Sequence, residues 1–465
     1  FEPHLVDYAY LTPDVTHATE TLMNNPNQNL IKKNSSAKDI IDRQAEIQFE
    51  NEKLINQVLN TAKLKCGPVH LNVPMEEPLY GMTNQLIVLN NFDETAETPK
   101  IIDVESYKKQ WEKASKKLVL VGVNFPGTID QEILDEISKD NSVVMMTETT
   151  SNLRPSNGIN SIDSLIAPIE GRDLTFLKSL QPDILLTFGG MVISKKIKYF
   201  LRNFSPKSHW HVDSFRAYDT YYCLSDHISL DPNEFLSKIY SKKSIQKGEG
   251  FKQKVLNKYH EQKRLGKKFL KKIPFSDLKV FETVFDSIPD HIHLQLANSS
   301  TVRYAQLFDL PQETEVFCNR GTSGIDGSTA TAVGASIINN NSTLLVTGDL
   351  SFFYDVNGLW NNYIPKSFRI ILINNNGGGI FRILPGEKDT PKHETYFETI
   401  HKRNAKSICK AFGLNHYSVK TLWGLRLALK SFYKVSTRPK LLEIKTPRTL
   451  NDSVLLNYFK AMQKH

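Results

Sequence analysis

Two largely apolar runs that each end in a polar cluster restrict the fold of this chain more than any other feature. Residues 343–347 lead into Gly-Asp-Leu-Ser at 348–351. Residues 368–373 lead into Asn-Asn-Asn-Gly-Gly-Gly at 374–379, and the intervening segment 352–363 is long enough for a short helix. This order predicts strand, helix and strand. Because a right-handed crossover makes the strands parallel, both clusters should reach the same carboxyl edge, where open parallel sheets bind ligands.

The side chains of these two clusters suit a divalent cation beside a pyrophosphate. An Asp carboxylate, an Asn amide oxygen and backbone carbonyls are oxygen ligands that Mg²⁺ prefers, with water and phosphate oxygens completing its shell. Glycines let the backbone approach a pyrophosphate closely and adopt positive φ angles. A turn-rich unit whose Asp and Asn only cap the elements is the alternative. Either cluster alone leaves both interpretations open, whereas the two together favour ligand binding.

Length and charge exclude some classes of protein. A chain of 465 residues suits about three domains. The formal net charge of +8 suits anionic substrates or cofactors but is too dispersed to indicate a nucleic-acid partner. The densest basic run, 258–272, has helical periodicity and few aromatic residues, which favours a solvated helix or linker.

Cysteine usage and hydropathy predict a cytoplasmic protein without membrane insertion. No apolar run of roughly 18 residues is present, and the first residues do not form a signal peptide. Four well-separated cysteines form no metal or redox pattern and indicate a reducing compartment: Cys66, Cys223, Cys318 and Cys409.

Alternating strand and helix patterns predict an α/β fold of three doubly wound parallel-sheet domains. The first domain, 1–85, closes with a strand at 67–74. The second, 100–245, and the third, 275–465, flank a basic helix and linker. Strands of the second domain are predicted at 117–122, 142–147 and 182–190, with helices at 128–139 and from about Ser194.

Two pairs of histidines could each supply half of a metal site. The sequences His209-Trp-His211 and His291-Ile-His293 place both imidazoles of a pair on one face of a strand. Neither pair has a carboxylate partner nearby in the sequence, so histidines with ordinary hydrogen bonds are favoured.

Two further polar clusters, at 297–303 and 318–327, also follow short apolar runs and should reach the same edge. Their arginines, Arg303 and Arg320, would lie near a pyrophosphate and therefore face anions. Because Arg binds carboxylates bidentately, the substrate is expected to carry carboxylates. The alternative is that each Arg pairs with an acidic side chain at the surface.

Three strings resemble the 2-succinyl-5-enolpyruvyl-6-hydroxy-3-cyclohexene-1-carboxylate (SEPHCHC) synthase family of thiamine-diphosphate enzymes. They are Asn-Arg-Gly-Thr-Ser-Gly-Ile-Asp-Gly at 319–327, Gly-Asp-Leu-Ser-Phe-Phe-Tyr-Asp at 348–355 and Asn-Asn-Asn-Gly-Gly-Gly-Ile-Phe at 374–381. The first is the most specific, since other thiamine-diphosphate families lack it, and the similarity runs in order from about Gly67 to the C-terminus. The resemblance implies a transferase of menaquinone (vitamin K2) biosynthesis. It would decarboxylate 2-oxoglutarate and add the succinyl-semialdehyde unit to isochorismate, and both substrates carry carboxylates.

The resemblance also implies cofactors and site residues. Thiamine diphosphate would bind with Mg²⁺, which Mn²⁺ can replace, and the metal ligands would be Asp349, Asn375 and the carbonyl of Gly377. Ile325 would support the bent cofactor and, with Arg303 and Arg320, form the catalytic group. Further cofactor contacts are implied at Asp326, Gly348, Leu350, Ser351, Gly378 and Ile380. Substrate contacts are implied at Ser299, Arg303, Arg320, Phe381 and the basic pair Lys195 and Lys196 of the central domain.

The N-terminal part departs from the family pattern. The family's proton-relaying Glu belongs to a pyrimidine-binding domain, but only about 80 residues precede the closing strand, roughly half of what such a domain needs. Gln28 matches a substrate-side Gln only faintly, and Glu20 is the one tempting acid nearby. Either N-terminal residues are missing from this sequence, or the chain is a truncated relative that binds cofactor poorly. Since such sites lie between the pyrimidine domain of one subunit and the diphosphate domain (275–465) of another, a homodimer or homotetramer is implied.

Other functions remain open at this stage. Another thiamine-diphosphate carboligase or decarboxylase, acetolactate-synthase-like and acting on pyruvate, would not need Arg303 and Arg320. A non-catalytic nucleotide-binding or interaction protein could share the doubly wound fold, and a basic nucleic-acid binder is a further alternative.

Overall fold

The computed structural model describes residues 2–15, 36–75, 102–240, 250–339, 341–383 and 390–463. Two compact units divide the chain, Phe1–Ile101 and Ile102–His465. Glu20, Gln28 and the predicted boundary near residue 85 lie outside the described residues. None of the helices in the described part of the chain is long and apolar enough to cross a membrane.

The smaller unit contains one long helix and two parallel strands. Strand β1 (Asp7–Tyr10) pairs with β2 (Val69–Asn72), which confirms the predicted closing strand. Helix α1 (Ala37–Lys65) was not predicted from the sequence. It begins with a reciprocal cap in which the Ser36 hydroxyl accepts the Asp39 N–H and the Asp39 carboxylate accepts the Ser36 N–H.

The larger unit begins with a five-stranded parallel sheet in the order β4-β3-β5-β6-β7. Its strands are β3 (Lys117–Val121), β4 (Val143–Met146), β5 (Ile184–Phe188), β6 (Ser208–Val212) and β7 (Asp226–Ile228). Both faces are covered, by α2 (Val104–Lys113), α3 (Gln131–Lys139), α4 (Ile162–Ile166), α5 (Leu174–Leu180), α6 (Lys195–Asn203) and α7 (Pro232–Ile239). Leu118 and Leu120 face one apolar cluster, whereas Val119 and Val121 face the other. Burial on both faces explains why β3, β4 and β5 are apolar along most of their length.

A six-stranded parallel sheet follows in the order β12-β13-β11-β10-β8-β9. Its strands are β8 (His293–Leu296), β9 (Glu315–Cys318), β10 (Thr343–Gly348), β11 (Arg369–Asn374), β12 (Asn415–Val419) and β13 (Lys440–Lys445). The helices are α9 (Asp277–Phe285), α10 (Ser300–Ala305), α11 (Ser328–Ile338), α12 (Asp349–Tyr354), α13 (Lys406–Ala411), α14 (Leu422–Phe432) and α15 (Asn451–Ala461). The predicted strand–helix–strand unit is β10, α12 and β11, although its helix begins earlier than expected. The parallel α/β fold is thereby confirmed, while the division into three domains stays a prediction.

Most of the basic run lies in helix α8 (Phe251–Leu270), so the predicted helix is confirmed, and Arg264, Lys267 and Lys268 are exposed on it, although the helix also has a buried face. Val255 and Tyr259 pack into the core of the five-stranded sheet, and Leu270 packs into the core of the six-stranded sheet. Gly266 lies so close to Tyr458 that an added Cβ would be 3.0 Å from its ring. The gaps of four and seven residues between these positions place them on one face of the helix, which is buried despite the basic composition.

A short turn after β4 joins the two sheets of the larger unit. The Asn152 side chain accepts the Val316 N–H at 2.8 Å and donates to the Val316 carbonyl at 2.9 Å, so it binds the backbone of β9. The Arg154 guanidinium donates to the Thr314 carbonyl at 2.7 Å. These bonds hold the end of the central sheet against the edge strand that leads to Arg320.

Candidate active site

The carboxyl edge of the six-stranded sheet has the topology of a ligand-binding crevice. Strands β8 and β10 are neighbours, with Leu296 opposite Val346. The chain leaves β8 towards β9 on one side and leaves β10 towards β11 on the other. Open α/β sheets bind ligands where successive connections diverge in this way. The four polar clusters predicted from the sequence follow β8, β9, β10 and β11.

Asp349 is buried at this edge and holds the glycine-rich loop after β11. Its Oδ2 accepts the Gly377 N–H at 3.0 Å, and its Oδ1 accepts the Leu350 N–H at 2.8 Å. The Nε2 of His401 lies 3.2 Å from the same Oδ2. The structure therefore brings together Asp349 and Gly377, as predicted, and adds a histidine that sequence reasoning missed.

Asn375 presents a free oxygen at the same place. Its Nδ2 donates to Asp277 Oδ2 at 2.9 Å, while its buried Oδ1 has no hydrogen-bond partner among the described residues. Burial raises the pKa of Asp277 to about 6, although hydrogen bonds from Thr446 and Asn375 oppose the shift and the charge of Asp349 adds to it. An unpaired buried acceptor is costly, so this oxygen fits a site for a cation.

The glycine-rich loop packs tightly against the segment 393–398. Gly377 has a φ of +152°, and a Cβ there would lie 2.7 Å from the Glu398 carbonyl oxygen. That carbonyl accepts the Gly378 N–H at 2.6 Å. The Glu398 carboxylate is in turn fixed by Arg448 Nη1 at 2.7 Å and Arg382 Nη2 at 2.6 Å. Sequence reasoning missed Glu398, which lies beyond the motif.

Asn298 organises the loop after β9. Its Nδ2 donates to the carbonyls of Asn319 and Gly324, each at 2.6 Å, and its Oδ1 accepts Arg320 Nη1 at 2.8 Å. The Ser351 hydroxyl donates to the carbonyl of Ile325. The half-buried Ile325 is thereby tied to the cluster after β10. Its neighbour in the loop, Asp326, is exposed.

The two arginines belong to the clusters that follow β8 and β9, and each binds a neutral oxygen acceptor. Arg303 Nη1 donates to the Ser299 carbonyl at 2.7 Å, and Arg320 binds only Asn298, so neither has a carboxylate within ion-pair distance in the part of the chain that the structure describes. Burial lowers the pKa of Arg303, and the nearby charge of Arg320 acts in the same direction. Among the described residues, the structure gives no support to the alternative in which each arginine pairs with a surface acid.

Known proteins match this chain in sequence. Residues 298–444 match the family model described as thiamine pyrophosphate enzyme, C-terminal TPP binding domain. The chain is 46% identical over 418 residues to the SEPHCHC synthase of Flavobacterium johnsoniae, covering 89% of this chain and 74% of that protein. It is 45% identical over 427 residues to that of Christiangramia forsetii, covering 90% and 74%. It is 34% identical over 443 residues to the synthase of Porphyromonas gingivalis, covering 92% of this chain and 76% of that protein.

The chain belongs to the SEPHCHC synthase family.

The family indicated by the three strings is thus confirmed, and the chain is an enzyme of the SEPHCHC synthase type. Strands β9 to β12, most of β13 and the polar clusters from Asn298 onward lie in the part that matches the cofactor-binding family model. This match also confirms the prediction that the chain contains a thiamine-diphosphate-binding domain.

The lysines predicted as substrate contacts in this SEPHCHC synthase family member lie at the start of α6. Lys195 is exposed, and Lys196 forms an ion pair with Glu170. Lys198, one turn further on, is half-buried. Burial lowers its pKa, and the charge of Arg320 acts in the same direction while Glu148 opposes it. Lys198 is therefore a cation within electrostatic reach of Arg320 that sequence reasoning missed.

A buried acid fixes the start of α6. The Glu148 carboxylate accepts the N–H groups of Ile193 and Ser194, both at 2.7 Å, and Ser194 also donates to Asp163. Burial raises the pKa of Glu148 to about 7, with these backbone bonds opposing the shift. Helix α6 is thus held at its N-terminus by a group that titrates near neutrality.

The histidine pairs differ from each other. His209 and His211 share one strand face, as predicted, and both lie within hydrogen-bond distance of Thr187 Oγ1, at 2.9 and 2.8 Å. They line a cavity of about 750 Å³ between the central sheet and the loop of Arg320. The placement of His291 beside His293 on a strand was wrong, because His291 has a φ of 57° and lies before β8.

Proposed function

We propose that the protein decarboxylates 2-oxoglutarate and adds the succinyl-semialdehyde unit to isochorismate, using thiamine diphosphate and Mg²⁺ at the crevice after β8 and β10. The observation that carries this proposal is that one sheet edge holds both the buried Asp349 and Asn375 and two arginines, Arg303 and Arg320, that have no acidic partner among the described residues. When bound, the cofactor supplies a cationic ring that accepts the electrons released by decarboxylation. The family assignment supports the reaction, and the proposal concerns how this chain's residues perform it.

Asp349, the Oδ1 of Asn375 and the carbonyl of Gly377 would hold the metal ion. All three are oxygen donors, which Mg²⁺ and Mn²⁺ prefer. The unpaired Oδ1 of Asn375 supports this role, because a bound cation would satisfy it. The Gly377 carbonyl accepts the Gly379 N–H at 3.1 Å and retains a second lone pair for the ion.

The backbone at Gly348 and Gly378 would approach the diphosphate, with Leu350, Ser351 and Asp326 as further contacts. Ile325 would support the bent cofactor, and its position is fixed by the bond from Ser351 to its carbonyl. Ile380 and Phe381 would wall the pocket. Phe381 packs edge to face on Phe397 with ring centroids 5.7 Å apart, an apolar contact that would help to exclude water from the reacting carbon.

Arg303 and Arg320 would bind the carboxylates of the two substrates. Arg303 donates one N–H to the Ser299 carbonyl, and Arg320 donates one N–H to Asn298 Oδ1. The remaining N–H groups of each guanidinium would donate to an anion. Ser299 itself has a φ of 67°, a strained value for a residue with a Cβ, as expected where function holds the backbone. Lys198 would add positive potential, and contacts from Lys195 and Lys196 stay predictions.

The active protein would be a cytoplasmic homo-oligomer, a dimer or tetramer. Large apolar side chains are exposed around α11 and the turn after α12, and they include Ile338, Tyr354, Trp360 and Tyr363. Exposed apolar side chains that form one large patch mark a contact with another chain, and these residues are the candidates for such a patch. A second copy is the expected partner, because the family builds its site between subunits. The four cysteines are free, in keeping with a reducing compartment.

Ligand-induced stabilisation and substrate choice test the proposal together. Thiamine diphosphate with Mg²⁺ should stabilise the protein by about 2.7 kcal/mol when its concentration is 100 times the Kd, whereas ATP or NAD should not. Carbon dioxide release should require 2-oxoglutarate, and product should form only with isochorismate. Turnover of pyruvate instead would favour the acetolactate-synthase-like alternative. Salt-sensitive retention on DNA would favour a nucleic-acid binder.

A further inference from the structure

An amide side chain can turn either its oxygen or its nitrogen towards a cation, and only the oxygen is a ligand. At Asn375 the choice is made by Asp277, which accepts the Nδ2–H at 2.9 Å from a position 98 residues away in the chain. We propose that Asp277 is a positioning residue that fixes the Asn375 amide with Oδ1 facing the metal ion. This inference rests on the proposed metal site.

Asp277 is itself held so that it can only accept a hydrogen bond from Asn375. It is the first residue of α9 and is buried, and its N–H donates to Asn451 Oδ1 at 2.8 Å. Its Oδ1 accepts the Thr446 hydroxyl at 2.6 Å, which leaves Oδ2 for Asn375. Oδ2 accepts the Asn375 Nδ2–H, so the amide nitrogen faces Asp277 and the amide oxygen faces the other way.

The consequence for binding is a preorganised ligand. With the nitrogen bound by Asp277, the Asn375 oxygen is left without a partner until a cation arrives. If the Asn375 amide were turned the other way, its oxygen would accept a hydrogen bond elsewhere and its N–H groups would face the ion. Groups that orient a metal ligand in this way are typically worth about 10- to 100-fold in metal affinity.

The test compares Mn²⁺ affinity in four variants at saturating thiamine diphosphate and pH 8, with free Mn²⁺ measured by electron paramagnetic resonance. Asp277→Ala removes the acceptor and should raise the Kd for Mn²⁺ about 10- to 100-fold. Asp277→Asn should stay within about threefold of wild type, because the new amide oxygen can accept from Asn375 while its nitrogen donates to the Thr446 hydroxyl. Thr446→Val is the matched control and should also bind Mn²⁺ normally, since it leaves the bond between Asp277 and Asn375 intact.

The double variant Asp277→Asn with Thr446→Val separates orientation from a general structural effect. Valine cannot accept a hydrogen bond, so the new amide gains by turning its N–H towards the Asn375 oxygen. We expect the Kd to be about tenfold weaker than in either single variant, a coupling that independent structural damage would not give. If Asp277→Ala does not fold, this comparison alone decides the question.

Three results would overturn the inference. The first is wild-type affinity in Asp277→Ala. The second is a loss in Asp277→Asn as large as in Asp277→Ala, which would make charge rather than orientation the cause. The third is simple additivity in the double variant. Failure of the wild-type protein to bind Mn²⁺ would instead remove the proposed metal site and this inference with it, so the two failures are distinguishable.

Discussion

Replacing Gly377 with alanine should loosen the contact between the glycine-rich loop and the segment 393–398. The new Cβ would lie 2.7 Å from the Glu398 carbonyl oxygen, where ordinary contact begins at 3.4 Å. The neighbour cannot yield easily, since the Glu398 carboxylate is buried and bound by Arg382 and Arg448. The loop must therefore move by about 0.7 Å, and the bond from Gly378 to Glu398, now 2.6 Å, would exceed its usual range.

Two effects lower the stability of the Gly377→Ala variant. A side chain at a φ of +152° is strained by about 1–3 kcal/mol, and loss of one buried backbone hydrogen bond costs about 1 kcal/mol. The expected loss of stability is thus about 2–4 kcal/mol. The loop should also become less ordered, which would weaken the binding of thiamine diphosphate with Mg²⁺.

Urea unfolding of the cofactor-free protein measures the first effect, and hydrogen exchange of a peptide that covers residues 375–383 measures the second. Gly348→Ala is the matched control, because Gly348 belongs to the same predicted cofactor site but has a φ of −85° and open space around an added Cβ. That variant should stay within about 0.5 kcal/mol of wild type before cofactor is added. Equal stability of the two variants would refute the reasoning.

Four further substitutions test the substrate arginines, the buried acid before α6 and the proposed subunit contact. Arg303→Ala and Arg320→Ala should each lower kcat/KM for 2-oxoglutarate or isochorismate by about 10- to 150-fold, the worth of a charge-assisted hydrogen bond, while cofactor affinity stays constant. Steady-state kinetics check this, and unchanged values for both substrates in both variants would contradict the assignment. Because the pKa of Glu148 is raised from 4.5 to about 7, the folded state holds its proton more tightly, so stability should fall by up to about 3 kcal/mol as pH rises through that window. Glu148→Gln should flatten this dependence in urea unfolding at pH 5 to 8, and identical slopes would count against it. Trp360→Ser should reduce the oligomer mass in light scattering, whereas an unchanged mass would place the subunit contact elsewhere.

The parts of the fold that the sequence predicts are those with a local signal. Strands β10 and β11 are buried on both faces, so their sequences are apolar along most of their length and end abruptly at polar clusters. Handedness then brings Asp349 close to Gly377 without any knowledge of distant contacts. The same argument places Arg303 and Arg320 at one edge.

The contacts that the sequence does not predict come from elements far away in the chain. Asp277 reaches Asn375 from α9, and Glu398 reaches Gly378 from a segment beyond the motif. No periodicity or spacing marks either acid, because each contact depends on how separate elements pack. The error at His291 has a related cause. Its sequence continues the apolar pattern of strand β8, but the backbone turns at this residue before the pairing of β8 begins.

Helix α8 was predicted as a solvated helix or linker, and its buried face was not foreseen. Residues four and eleven apart share one side of a helix, and here Val255, Tyr259 and Leu270 are apolar. Lys and Arg stems cover neighbouring surface while their charged ends stay in water, so a basic helix can still have a buried face.

That helix has a practical consequence for anyone who wishes to produce the two sheets as separate polypeptides. One segment, 251–270, closes the apolar surface of both, so whichever fragment lacks it would expose aliphatic and aromatic side chains to water. Such a fragment should aggregate or require detergent. Labelling or fragment studies of the larger unit are therefore best designed with residues 102–463 on a single polypeptide.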